Sequence, residues 1–255
     1  MSVPLPDSLL VLERGWLSAN NILFFDGENA TLVDSGYVTH AAQTVDLVGH
    51  ALRGRHLKTL INTHSHSDHI GGNAALQAAF GCEIIVPAGL HATIAEWDED
   101  ALLLSPLGQQ ATPFQHDRLI GAGSELELGG LVWQALAVPG HDMEALAYYN
   151  PEKRILISGD ALWENGFGVI FPELLGEADG LASTRATLEM LSHLPIDTII
   201  PGHGAPFAAV DAVFERAFRR VDSFSADIDK LAWHAIKVIV SFAMLEKRRL
   251  PAADF

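Results

Sequence analysis

Two apolar runs, at residues 21–25 and 30–33, flank Asp26-Gly27-Glu28-Asn29, a pattern that predicts two strands joined by a tight hairpin turn. Residues 38–52 read as a helix leading into a further apolar strand at 57–62. A helix is predicted over 72–80, followed by a buried-strand pattern at 81–86 in which the lone Cys82 sits as a core residue. Residues 126–132, broken by Gly129 and Gly130, suggest a second hairpin. An amphipathic helix is expected around 182–194, and after Pro206 the pattern turns helical to the end. Residues 97–116 have no clear period and contain Pro106, Gly108 and Pro113. They predict an irregular insertion beside the site.

With 255 residues the chain can bury a substantial core, and a two-sheet sandwich of this size is one domain. No segment reaches the length of a membrane span. Residues 231–245 come nearest, but His234, Lys237 and Ser241 interrupt them, so the expectation is an amphipathic helix and no membrane association. That helix either covers its own domain or meets a second copy in a homodimer. The first residues lack the basic and apolar regions of a secretion signal, and Cys82 has no partner for an internal disulfide; both point to a cytoplasmic protein. Net charge is −16, and Lys247-Arg248-Arg249 is the first basic cluster, which makes nucleic acid a poor partner.

The chemistry concentrates in His64-Ser65-His66-Ser67-Asp68-His69, placed between a strand and a helix. Imidazole and carboxylate are what zinc, manganese and iron accept, and a fold has no structural need for four such side chains in six residues. Three later apolar runs each end in a further candidate: Val138-Pro139-Gly140-His141, Ile157-Ser158-Gly159-Asp160 and Ile200-Pro201-Gly202-His203. Glycine precedes each one, allowing a tight turn and close backbone approach.

This ordered set resembles the metallo-β-lactamase-fold superfamily of metallohydrolases, over roughly residues 18–207, with the glyoxalase II and lactonase branches nearest. The resemblance implies an α/β fold, a four-layer αββα sandwich over residues 1–209, with a C-terminal helical extension over 210–255. It implies that His64, His66 and His141 hold one metal ion, that Asp68, His69 and His203 hold a second, and that Asp160 bridges both. Val33-Asp34-Ser35-Gly36 matches a motif whose Asp supports the metal loops from behind; the same Asp34 also reads as a plain turn residue.

The implied chemistry is hydrolysis. Two divalent ions, zinc favoured by the histidine-rich set and iron or manganese able to use the same ligands, would share a bridging hydroxide. That hydroxide would attack the carbonyl of a small-molecule acyl substrate, an ester, thioester or lactone, and Asp68 would pass a proton to the leaving group. Asp160 stands where the β-lactamases with a cysteine ligand have Cys. Two alternatives remain: a mononuclear iron oxidoreductase resembling the persulfide dioxygenases, and a non-catalytic metal-binding scaffold. One departure bears on substrate: Asp142-Met143-Glu144-Ala145 replaces the Thr and Gly-His or Gly-Ser that glyoxalase II-like members carry after this His, putting glutathione thioesters in doubt.

Position alone suggests that residues 163–167 overhang the metals, with Trp163 and Phe167 either walling the pocket or packing between loop and core. Tyr148 and Tyr149 must face opposite ways on a strand, and neither is assigned to the site. His40, His50, His56, His91, His116, His193 and His234 lack motif context and read mostly as surface or structural residues.

Overall fold

A computed structural model describes residues 3–177, 179–208 and 210–248; Arg249 of the basic cluster and the end of the extension expected to reach 255 lie outside the described residues. Strands β1 (Leu9–Leu12), β2 (Asn21–Asp26) and β3 (Asn29–Val33) pair antiparallel. Asp26 pairs with Asn29, so Gly27 and Glu28 form a two-residue turn, and Gly27 takes the φ of +57° that such turns require. A 3₁₀ turn (Val38–His40) and helix α1 (Ala41–Leu52) carry the chain back, and β4 (His56–Ile61) adds parallel to β3. Helices α2 (Ser67–Ile70) and α3 (Asn73–Phe80) make the next crossover, to β5 (Glu83–Pro87). Helices α4 (His91–Glu96) and α5 (Leu104–Leu107) lie between β5 and β6 (Arg118–Ile120), giving one sheet of order β1-β2-β3-β4-β5-β6.

The second sheet is built by local antiparallel pairing of β7 (Glu125–Leu128), β8 (Leu131–Ala137), β9 (Leu146–Asn150) and β10 (Ile155–Gly159). Gly129 and Gly130, both at positive φ (60° and 74°), form the first of its turns. Helix α6 (Gly180–Ser192) then brings β11 (Thr198–Pro201) parallel to β10, and α7 (Val210–Ala226) and α8 (Ile228–Lys247) follow.

Period-two alternation assigns the layers. Ile22, Phe24 and Val33 point inward with Ile61, Trp133, Tyr148 and Ile157 to fill the space between the sheets. Leu23 and Leu32 point outward and pack, with Leu60 and Ile84, under Val48 and Leu52 of α1 and Leu76 of α3. On the other side Tyr149, Leu156 and Ile199 meet Leu188 and Leu191 of α6 and Val213 and Phe214 of α7. The result is the αββα sandwich. Trp133, fully buried with its indole N–H donating to the Leu128 carbonyl, is the largest of these core side chains; truncating it to Ala would cost about 3–5 kcal/mol.

The segment 97–116 is less irregular than its composition suggests. It contains α5, and Leu102, Leu104 and Phe114 are buried in the core beneath the first sheet. Helix α4, just before it, was not expected from the pattern. Strands β8 and β10 both run antiparallel to β9, and β11 is parallel to β10. Their C-terminal ends therefore share one edge, where the expected site residues lie.

Candidate metal centre

Asp34 leaves β3 at φ +58°, a conformation that Asp tolerates better than most residues, and is 2 % exposed. Its Oδ1 accepts from the Thr63 backbone N–H at 2.9 Å and its Oδ2 from the Thr63 hydroxyl at 2.8 Å, while His69 Nδ1 lies 2.7 Å from Oδ2. These bonds tie the loop after β4 to the end of β3. His64 Nδ1 lies 3.0 Å from Thr63 Oγ1, whose own hydrogen is committed to Asp34. His141 Nδ1 donates to the Val169 carbonyl. In His64, His69 and His141 the Nδ1–H is thus the donor, which turns each Nε2 into the site, with a lone pair on His64 and His141 and, once its second proton is displaced, on His69.

The seven side chains meet in two groups, His64, His66 and His141 in one and Asp68, His69, Asp160 and His203 in the other, each with donor atoms within 4.8 Å of one another. His66 Nδ1 and His141 Nε2 are 2.7 Å apart, and His203 Nε2 is 2.9 Å from Asp68 Oδ2. Asp160 lies between the groups: Oδ1 is 3.3 Å from His69 Nε2, and Oδ2 is 3.5 Å from His141 Nε2 and 3.8 Å from His203 Nε2. Close approach of backbone makes this possible. A Cβ on Gly202 would collide with Asp160 Oδ1 and stand 2.9 Å from His69 Cε1, and one on Gly168 would stand 2.6 Å from His141 Nδ1.

The charges are arranged for cations. Burial, reinforced by His69 and His66, pushes the His64 imidazole well below its ordinary pKa, and burial with His141 beside it brings His66 down to about 4. Burial opposes ionisation of Asp160, but His69 and His203 outweigh it and hold the carboxyl well below the usual carboxylate range; Asp68 is lowered against burial by the same two histidines. His69 goes the other way. Burial disfavours its proton, yet Asp34, Asp160 and Asp68 together hold it well above the ordinary histidine value. A metal ion among these carboxylates would take the place of that proton. His64 Nε2 and His69 Nε2, both buried, have no hydrogen-bond partner among the described residues. Buried acceptors left without donors are costly unless a cation meets them, so this His/Asp cluster is suited to two metal ions.

The family model of the metallo-beta-lactamase superfamily matches residues 14–203. The chain belongs to that superfamily. Its sequence is similar to hydroxyacylglutathione hydrolase of Rhodospirillum rubrum, 32 % identical over 142 residues (55 % of this chain and 45 % of the relative). It is also similar to the enzyme of that name from Cereibacter sphaeroides, 32 % identical over 162 residues (64 % and 53 %). The chain spans about half the length of these curated relatives. The fold is shared with a metallo-beta-lactamase family protein of Thermus thermophilus (TM-score 0.69, 22 % identity, covering 85 % of this chain and 81 % of that one). It is also shared with the FEZ-1 metallo-beta-lactamase of Legionella gormanii (TM-score 0.69, 15 % identity, 91 % and 98 %).

Within this superfamily fold, a cavity of about 730 Å³ opens over the cluster, and His66, Asp68, His141, Asp160 and His203 form its floor. Trp163 lines it. Phe167 does not: it is 2 % exposed and packs in the core beside Phe224 at 6.4 Å, because the carbonyls of Glu164 and Asn165 are held by Arg216 and Arg220 of α7 and turn the loop inward. Tyr148 and Tyr149 face opposite ways, donating to the Asn62 and Pro195 carbonyls. Leu107 and Gln109 bring the 97–116 segment to the cavity wall.

Three features were missed from sequence. Trp16, ahead of the matched motifs, stacks on His203 with centroids 5.4 Å apart and planes 7° from parallel. Asp142, noted only as a departure, accepts from the Ser65 backbone and hydroxyl at 3.3 Å each and so braces the loop between His64 and His66. His234, with no motif context, lies on α8 and lines the cavity with several neighbours from that helix. The histidine run at 64–69 and the Gly-Asp and Gly-His endings carried local signals; these three depend on long-range packing.

Proposed function

We propose that this protein is a metal-dependent hydrolase that cleaves a small ester, thioester or lactone. The observation that carries the reading is the convergence of five imidazoles and two carboxylates, with unpartnered buried nitrogens, at and just beneath the floor of an accessible cavity. His64, His66 and His141 would hold one ion, and Asp68, His69 and His203 the other, with Asp160 shared. Zinc suits a set so rich in imidazole. Such ions supply Lewis acidity to a water and to a carbonyl oxygen.

The chain's own groups do the rest. Asp34 keeps His69 in the tautomer that presents Nε2, and the Val169 carbonyl does the same for His141. Trp16 and Trp163 flank His203 and narrow the approach. Water adds its oxygen to the acyl carbon, the bond from that carbon to the leaving oxygen or sulfur breaks, and the leaving atom takes a proton. Asp68, on the cavity floor, would take a proton from that water on a carboxyl oxygen and pass it to the leaving atom. The hydroxyacylglutathione hydrolase relatives support a thioester or ester among the candidates, although the changed segment at Asp142 argues against glutathione itself. The free, buried Cys82, whose thiol burial pushes up to about 11, is compatible with a cytoplasmic site of action.

Elemental analysis of protein purified without added metal, paired with a panel of acetyl esters, thioesters and γ-lactones, tests the reading. About two equivalents of metal and turnover abolished by chelation are expected. One iron with oxygen consumption on thiols, or two metals without turnover on any acyl substrate, would overturn it.

A further inference from the structure

The cavity is walled chiefly by one helix that lies outside the segment matched to the superfamily. Helix α8 packs on Val169, Phe171 and Leu107 through Ala235, Val238 and Ile239. Its C-terminal end is pinned by the Tyr37 hydroxyl, which donates to Glu246 at 2.8 Å and accepts from the Gln110 N–H at 3.1 Å. The Tyr37 ring meets Phe242 edge-on at 5.0 Å. Positions 238, 241, 242 and 245 follow helical spacing and all line the cavity.

Most of that wall is hydrocarbon. Val238, Phe242 and Leu245 line the space above the His/Asp cluster together with Leu107 and Phe171. Several wall side chains are large, apolar and open: Trp16 is 60 % exposed, Met244 57 % and Leu245 49 %. A contiguous apolar surface next to a polar reaction centre marks a ligand groove. Cationic groups are scarce. Lys237 is the one Lys or Arg lining the cavity among the described residues, whereas a glutathione thioester carries two carboxylates that need partners.

We propose that α8 makes this a site for substrates with a linear apolar acyl chain of roughly six to ten carbons, the chain lying along Val238, Phe242 and Leu245 and the carbonyl over the metal cluster. The inference rests on the hydrolase reading for its reaction but not for its binding. A cavity of about 730 Å³ accommodates a ligand of that size. Each methylene taken from water into such a wall contributes about 0.8 kcal/mol when fully buried, which is about fourfold in affinity.

Two measurements on the full chain separate the claims. In the first, p-nitrophenyl esters from acetate to decanoate are compared, and kcat/KM should rise about two- to fourfold per methylene up to the length the cavity holds. In the second, n-butanol to n-octanol, which cannot be hydrolysed, are titrated by calorimetry, and affinity should rise by a similar factor per methylene. Ser241→Trp, at an exposed position facing the cavity, should fill it and lower both slopes, cutting decanoate turnover at least tenfold relative to acetate. Ile236→Ala, 48 % exposed and turned away from the lining positions at helical spacing, should change neither. Chain-length dependence in alcohol binding without ester turnover would leave the acyl site standing and remove the hydrolase reading. Ester turnover indifferent to chain length, or Ser241→Trp without effect on either slope, would overturn the acyl site.

Discussion

The indole N–H of Trp163 donates to Asp160 Oδ1 at 3.1 Å, on the carboxylate that lies between the two histidine groups. Groups that orient a ligand carboxylate typically change metal affinity or activity ten- to a hundredfold when lost. Trp163→Phe keeps a ring against His203 and removes the donor. Metal retention against a competing chelator should weaken by about tenfold, with thermal stability nearly unchanged. Unaltered retention would mean that Asp160 is held well enough by its other neighbours.

Asp34 connects three donors, two on Thr63 in the loop after β4 and one on His69 of α2. Asp34→Asn preserves size and tolerance of positive φ, but its amide nitrogen cannot accept from Thr63 or His69. A loss of about 1–3 kcal/mol in urea denaturation is expected, together with reduced occupancy of the ion that His69 is proposed to hold. Full metal content in this variant would show that His69 needs no support from behind.

Gly202 sits where any side chain would meet Asp160 and His69. Gly202→Ala should therefore displace the shared carboxylate, and metal content per chain should fall by at least half while the far-ultraviolet dichroism of the folded chain is retained. Overpacking of this kind costs about 1–3 kcal/mol, less than a domain's total stability.

His234 stacks on Phe224 at 5.6 Å, and burial, then Arg220 and Lys237, lower its pKa from 6.5 to about 4. Between these values the unfolded chain binds a proton that the folded chain refuses, so this residue's contribution makes stability rise with pH across about 4 to 6.5 and leaves it flat above. His234→Phe removes that contribution. Its stability should fall less steeply than the parent's between pH 7 and pH 4.5, measured by denaturant unfolding at each pH. Parallel slopes would show that His234 is protonated freely in the folded protein.

Much of this molecule can be read along the chain because the signals are local. The hairpin at Gly27 and Glu28, the alternation through β2 and β3, and the histidine run between β4 and α3 each depend on neighbours within a few residues. Apolar alternation against water, and the few geometries open to glycine, are enough to specify them. The Gly-His and Gly-Asp endings carried similar information, since a strand that stops at glycine hands its next side chain to the sheet edge.

Tertiary structure decided what distance in sequence conceals. Phe167 was a candidate for the wall and lies in the core, because Arg216 and Arg220, some fifty positions onward, fix the loop that carries it. Trp16 and His234 had no motif to mark them, yet packing brings one onto His203 and the other to the cavity rim. The amphipathic pattern of α8 established that one face would be covered, but a hydrophobic stripe is the same whether it meets a core, a second chain or a substrate. Hydrophobic attraction is non-directional, so the choice among them rests with the shape of the surfaces that fold beside it.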